Sequence, residues 1–267
     1  MSLVKINSFA EYKQIVERFG LRGCLKNDYL QSEADDLIAH RRLQAILGQD
    51  NAILLRQMDG FHRIYYYVNN VSELLLLPEE ELMTEILFRG ETAPDAEVKW
   101  LESMGFCKNL VRDQYFARYS SLKPSDGNVN TKIAFAQNKD EVSWAVNLFN
   151  KTFDKWSGDH IPSDKHDLLL AEQSILLAKD ENGLLLGALH LENKKGVWWL
   201  NHITVVPEAR GKKVGLGLLE AYIEQGHSDN DSRYMLWVQR QNVAAVTMYR
   251  NKGFMPMNKS TLSMIRK

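Results

Sequence analysis

The sequence predicts two α/β domains in tandem, and three observations predict it. The chain has 267 residues, more than the ~100–200 of a common single domain, so two cores are the natural division. Segments with strand periodicity alternate with segments of helical periodicity through both halves. A helix–Gly-Phe–strand ending occurs twice, at Gly105-Phe106 and Gly253-Phe254, 253 − 105 = 148 residues apart. The agreement in element order points to duplication rather than to two unrelated helix stops.

In the second half, Lys132–Ala136 alternates, with Ile133 and Phe135 on one face, and reads as a strand. Val142, Ala145, Val146, Phe149 and Phe153 recur at helical spacing. Ile175–Ala178 and Leu184–Leu191 are apolar strands around the turn Lys179–Gly183. Val197–Val206 is the next strand, stopped by Pro207. Val214, Leu218, Leu219, Tyr222 and Ile223 then form one stripe of an amphipathic helix, with Gly226 as its stop. Tyr234–Val238 is a strand, Asn242 caps a helix through Lys252, Gly253 ends it, and Met255 onward is strand.

In the first half, helical patterns cover Phe9–Phe19 and Tyr29–Leu47, and strands follow at Ala52–Gln57, Arg63–Val68 and Met83–Phe88. A helix from Asp95 to Met104 ends at Gly105-Phe106, and a strand lies near Gln114–Tyr119. Ser120–Asn128 collects Ser, Pro, Asp, Gly and Asn and is the expected linker. The expected domains are therefore 1–122 and 130–267.

Composition excludes several classes. Lys+Arg is 33 and Asp+Glu is 34, so no nucleic-acid footprint stands out and no nucleic-acid partner is expected. Cys24 and Cys107 lack metal-ligand spacing, so no metal site and no disulfide framework are expected, and a reducing cytoplasm fits. Met1–Lys5 lacks the apolar core of a signal peptide, and the apolar run Leu74–Leu77 is too short for a membrane helix. Neither a membrane partner nor a particular oligomeric state follows from the sequence.

The most informative stretch is Ile203–Leu219: a strand, a turn rich in Gly and Lys, then a helix. A helix start leaves backbone N–H groups unpaired and carries the positive end of the macrodipole. Glycines admit close approach of a ligand, and Arg210, Lys212 and Lys213 add positive charge there. A diphosphate is the fitting guest. The spacing fits neither a Walker A loop nor a dinucleotide fingerprint, since the sixth position from Gly215-Leu216-Gly217 is Glu220.

This stretch resembles the CoA-binding motif of the GNAT superfamily of acyl-CoA-dependent N-acyltransferases, [QR]-x-x-G-x-[GA], placed after a V-x-P strand end. Arg210 fills the first position and Gly215 the last; Lys213 stands where the first Gly is usual. A second segment, Asn242–Phe254, resembles the superfamily's N-x-x-A-x-x-x-Y-x-x-x-G-F, matching Asn242, Ala245, Tyr249, Gly253 and Phe254. The resemblance covers nearly all of residues 130–267. It implies a mixed, mostly antiparallel twisted sheet flanked by helices, with acetyl-CoA as cosubstrate. It further implies that Val205 and Val206 meet the pantetheine arm and that the amides of Gly211, Lys212, Lys213, Val214, Gly215 and Leu216 hold the pyrophosphate. Asn242, first of all a helix cap, would add a contact to CoA.

Acyl transfer from a thioester to an amine must expel a thiolate, and a donated proton eases that step, typically by ~10²–10⁴-fold. The resemblance gives this role to Tyr249. On the strand before the turn, Asn201 can orient an amine or a water, and His202 has a suitable unperturbed pKa. Alternation puts them on opposite faces and places Asn201 and Trp199 with Val205, leaving His202 as a packed residue. Trp198 and His190 read as core residues. Asp154, Asp159 and Asp164, in the loop Asp154–Asp164, are either solvated or attract a cationic amine.

In the first half, the position matching Tyr249 is 249 − 148 = 101, which is Leu101, and acidic Glu79, Glu80 and Glu81 follow the strand where a CoA turn would stand. That half is expected to have a GNAT-like fold without CoA binding. The expected activity is transfer of an acetyl or short acyl group from acetyl-CoA to a primary amine of a small molecule or peptide by direct attack. A non-catalytic acyl-CoA sensor and a Fem-type tandem-GNAT aminoacyltransferase are the alternatives.

Overall fold

A computed structural model describes residues 3–124, 131–157, 160–228 and 230–267. The chain divides into two compact units: Met1–Val111 with Ser260–Lys267, and Arg112–Lys259. This is not a division inside Ser120–Asn128, of which Ser125–Asn128 lie outside the described residues. Ladder hydrogen bonds decide it. The strand β7 (Cys107–Arg118) pairs over Arg112–Arg118 with β12 (Arg233–Gln239) of the second unit. The strand β13 (Met255–Arg266) pairs over Ser260–Arg266 with β6 (Leu82–Phe88) of the first. Each unit therefore takes a strand from a part of the sequence that composition assigns to the other.

The first unit carries β1 (Leu3–Lys5), α1 (Phe9–Phe19), β2 (Leu25–Lys26), α2 (Ala34–Ala39), β3 (Leu43–Leu47), β4 (Asn51–Gln57), β5 (His62–Val68), β6, α3 (Asp95–Ser103) and the start of β7. The strands β1, β3, β4 and β5 pair antiparallel in that order, and β5 pairs with β6 in parallel. Two apolar clusters hold the unit, one around Tyr12, Phe19 and Leu54, the other around Ile86, Trp100 and Phe106. The helix expected over Tyr29–Leu47 stops at Ala39, and Leu43–Leu47 is a strand. The reason is tertiary: Leu43–Leu47 pairs with Ala52–Arg56 and Gln44–Ile46 with β1, so strand pairing overrides the helical spacing.

The second unit carries β8 (Lys132–Phe135), α4 (Lys139–Thr152), α5 (His166–Ala171), β9 (Ile175–Lys179), β10 (Leu185–Lys194), β11 (Val197–Val205), α6 (Val214–Gly226), β12, α7 (Val243–Lys252) and the start of β13. Its sheet runs β8, β9, β10, β11 antiparallel, then β12 parallel to β11, then β7 antiparallel. One face packs on α4 and α5 around Phe149, the other on α6 around Leu218, Leu219 and Tyr222. Gly226 is the last residue of α6 rather than a stop beyond it. A β-carbon there would stand 2.7 Å from Tyr234 and 2.8 Å from Trp198, so close packing demands the glycine.

The two units repeat one arrangement: a helix pair, an antiparallel meander, then a parallel strand pair whose members part company. They differ between the parallel strands. The second unit has α6 there; the first has the segment Asn69–Glu81 without a helix. No described helix is long and apolar enough to cross a membrane.

Candidate functional site: a strand split facing the start of α6

The parallel pairing of β11 with β12 covers only Val197–Leu200 against Arg233–Leu236, while β11 continues to Val205 and β12 to Gln239. Beyond Leu200 the two strands diverge, and β11 lacks ladder partners on that side. The Val206 N–H donates to the Leu186 carbonyl at 2.9 Å. Antiparallel ladders alternate, so the neighbouring Val205 turns its own N–H away from β10, toward the split. Of the two valines, Val205 is the one with an open amide.

The chain then makes a 3₁₀ turn, Pro207–Ala209, and enters α6. The Arg210 N–H bonds to the Pro207 carbonyl and the Gly217 N–H to the Lys213 carbonyl. Between them the amides of Gly211, Lys212, Lys213, Val214, Gly215 and Leu216 have no backbone acceptor among the described residues. Lys213, the N-cap, makes no side-chain cap bond and has φ 61° and ψ 10°, left-handed values that cost a non-glycine residue about 1 kcal/mol. Gly211 also has positive φ, 75°. The side chains of Lys212 and Lys213 are exposed, and the Arg210 Nε donates to the Val205 carbonyl at 3.3 Å. Six open amides, the positive end of a helix and three cations thus meet at one point, a geometry suited to an anion with several oxygens.

Asn242 caps α7: its side-chain oxygen accepts the Ala245 N–H at 3.2 Å. Tyr249 is buried among residues of α6, β12 and Phe254, its ring edge-on to Phe254 at 5.9 Å between centroids. Its hydroxyl has no hydrogen bond among the described residues, and burial pushes its pKa well above the ordinary tyrosine value. The phenol therefore stays protonated throughout the neutral range.

The alternation expected for Asn201 and His202 does not hold. Register shifts between β10 and β11 so that His190 faces His202 and Leu191 faces Leu200, leaving Asn201 as the extra residue of a β-bulge. Leu200, Ile203 and Val205 pack on the α6 side. His202 stacks on Phe149 of α4 at 5.1 Å, and the Asn201 Nδ2 donates to Glu192 Oε2 at 3.3 Å. Glu192 lies opposite Trp199 and two residues from His190 on β10, so Trp199, Asn201 and His202 all belong to the α4 face rather than to the face of Val205. His202 is packed as expected. Its Nδ1 stands 3.1 Å from the His190 Nδ1, so the two rings share one proton in that bond. Burial, aided by His202, lowers the His190 pKa from 6.5 to about 3. Sequence reasoning missed Glu192; its signal was a carboxylate ending an otherwise apolar strand. In the loop Asp154–Asp164, Asp159 lies outside the described residues, and the Asp154 carboxylate accepts the Trp156 N–H at 3.0 Å.

The corresponding split in the first unit is filled. There β5 and β6 pair only at His62–Leu82 and Arg63–Met83 before diverging, and β2 pairs with β5 beyond that point. The next residue, Asn27, accepts the Tyr66 N–H at 2.8 Å and donates to the Glu85 carbonyl at 3.1 Å and to the Thr84 hydroxyl at 2.7 Å. One side-chain amide thus bridges the two parted strands. The acids expected to repel a diphosphate, Glu79 and Glu80, are exposed in the segment before β6.

A parallel strand pair split beside a helix start with bare amides, repeated once in degenerate form, defines a tandem α/β protein with, among the described residues, one open strand split whose amides suit an anion. Residues 143–254 match the model of the acetyltransferase (GNAT) family, so the C-terminal part of the chain carries a GNAT domain. A stretch of 126 residues is 29% identical to the mycothiol acetyltransferase of Stackebrandtia nassauensis, covering 45% of this chain and 37% of that protein. The chain thus matches little more than a third of that relative's length. Among solved structures, a tandem GNAT protein from the clavulanic acid biosynthesis pathway is similar over 99% of this chain and 97% of its own, with a TM-score of 0.60 and 12% identity. An acetyltransferase from the GNAT family of Colwellia psychrerythraea is similar over 100% of both chains, with a TM-score of 0.56 and 13% identity. These likenesses establish two GNAT-like domains in tandem.

Proposed function

We propose that the second unit transfers an acetyl or short acyl group from acyl-CoA to a primary amine, with both substrates held together and no covalent acyl-enzyme. The observation that carries this reading is the row of six open amides from Gly211 to Leu216 at the start of α6, beside the diverging end of β11. A CoA diphosphate fits that cradle, and the pantetheine arm then runs along the open edge past Val205. Open strand amides polarise the thioester carbonyl, proximity supplies much of the rate, and Tyr249 protonates the departing thiolate. Neither cysteine of the chain, Cys24 or Cys107, belongs to the second unit, which suits direct attack. The first unit, its split closed by Asn27, serves as scaffold.

Thiol release from acetyl-CoA with a panel of primary amines, together with calorimetric titration of CoA, tests the reading. Turnover with some amine is expected, and Tyr249→Phe should lower kcat by about 10²-fold while keeping CoA affinity. Binding of CoA without turnover for any amine would make the protein a sensor instead. Absence of CoA binding would remove both readings.

A further inference from the structure

The proposed reaction needs a group to take a proton from the acceptor, because an alkylammonium has no lone pair to attack with. We propose that Glu192 is that base; the inference rests on the acyl-transfer reading above.

Position is the first argument. The strands β11 and β12 part after Leu200, so Asn201 is the first residue on the open stretch. Four residues of extended strand, ~13 Å, separate Asn201 from Val205, a span of the order of an extended pantetheine arm. A diphosphate at the start of α6 therefore delivers its thioester close to the point where the strands diverge. The bulge at Asn201 turns that side chain onto the α4 face, where its amide bonds to the Glu192 carboxylate at 3.3 Å. Glu192 stands one hydrogen bond from the place of reaction, on the strand beside it.

Charge and access are the second. The Glu192 side chain is 35% exposed, so an acceptor reaches it. Lys194 of the same strand places its Nζ 2.8 Å from the carboxylate, and the surface pocket that Glu192 lines also takes Glu172 and Ser174 from before β9, and Trp198 and Gln225. From β11 it faces Trp199 and Asn201, which are uncharged. Two carboxylates against one ammonium leave a net negative charge for an incoming cation. The rival base is the His190–His202 pair. It is covered by Phe149 and Phe153, and its Nδ1 atoms are engaged with each other.

The step balances. Glu192 takes one proton from R–NH₃⁺, and the freed lone pair of R–NH₂ forms the C–N bond at the thioester carbon. The C–S bond then breaks, and the thiolate takes the Tyr249 proton. The second nitrogen proton returns to Tyr249 through solvent, and Glu192 releases its own to solvent. The products are the amide, CoA thiol and one proton.

The test uses the full chain, acetyl-CoA and the primary amine of the panel that gives the fastest thiol release. Glu192→Gln keeps the size of the side chain and an acceptor for the Asn201 amide. Its melting temperature and CoA affinity should match the parent, and its kcat/KM at neutral pH should fall by about 10²-fold. The loss should shrink steadily as pH rises toward the pKa of the amine, because the free base then arrives from solution. A pH-independent loss would mark a merely structural role and overturn the inference, as would unchanged kcat/KM. If the parent turns over no amine, the acyl-transfer reading fails and this inference falls with it; if the parent is active and Glu192→Gln equally so, this inference alone falls.

Discussion

A β-carbon placed on Gly215 would stand 3.6 Å from Val205 Cγ2 and 3.9 Å from Met248 Sδ, both ordinary van der Waals distances. Nothing inside the protein requires glycine at this position. Its φ is not left-handed either, so the missing side chain serves something that approaches from outside.

Gly215→Ala should therefore fold at least as well as the parent, since alanine is favoured over glycine in a helix by about 1 kcal/mol. The pattern [QR]-x-x-G-x-[GA] admits alanine at this position, so Gly215→Ala should keep CoA affinity, whereas the bulkier Gly215→Leu should weaken it by at least tenfold by blocking approach to the amides of the first turn. Thermal melting and calorimetric titration of the same sample separate the two effects. Unchanged CoA affinity in Gly215→Leu would show that the diphosphate does not rest there.

Lys213→Gly should raise stability by about 1 kcal/mol, because a left-handed conformation at φ 61° costs lysine what it does not cost glycine. The side chain is exposed, so little packing is lost. A denaturant midpoint that falls instead would contradict this account of the turn.

Asn27→Ala should destabilise the protein by about 2–4 kcal/mol, since the buried Tyr66 N–H and the Glu85 carbonyl lose their partners and each such group costs about 1–3 kcal/mol. Titration of the parent should give one CoA per chain. Two equivalents would mean that the Asn27 bridge does not close the first split.

The His190–His202 pair makes stability pH-dependent. The folded pKa of His190 is depressed from 6.5 to about 3, so between those values the unfolded chain binds a proton that the native state refuses. Stability from this site is intact above pH 6.5 and is lost as pH falls toward about 3. Denaturant unfolding at a series of pH values should show this fall, and His190→Phe should flatten it.

What the sequence discloses is what neighbouring residues determine. The turn after Pro207 and the capped helix α7 are readable because glycine, the cap Asn242 and the apolar stripe of α6 act within a few residues of one another. Leu43–Leu47 is misread because its strand character comes from partners in β1 and β4. Asn27 carries no signal at all: its partners lie 39, 57 and 58 residues away in the chain. Asn201 defeats a face count because such a count assumes a uniform pleat, and one extra residue brings Asn201 and His202 to the same side. For the same reason Glu192, marked in the sequence only as a carboxylate ending an apolar strand, is not placed beside Asn201 until the strand register is known.

The pairing of Ser260–Arg266 with β6 sets an order of events during synthesis. The strand β6 is translated before the second unit, yet it waits for a neighbour translated after that unit. Until then β6 presents an unpaired edge, the kind of surface that recruits foreign strands. The nascent first unit is thus exposed to misassociation for as long as the second unit takes to be made. Substitutions in Ser260–Arg266 should accordingly lower soluble yield more than they perturb the second unit of the chains that do fold.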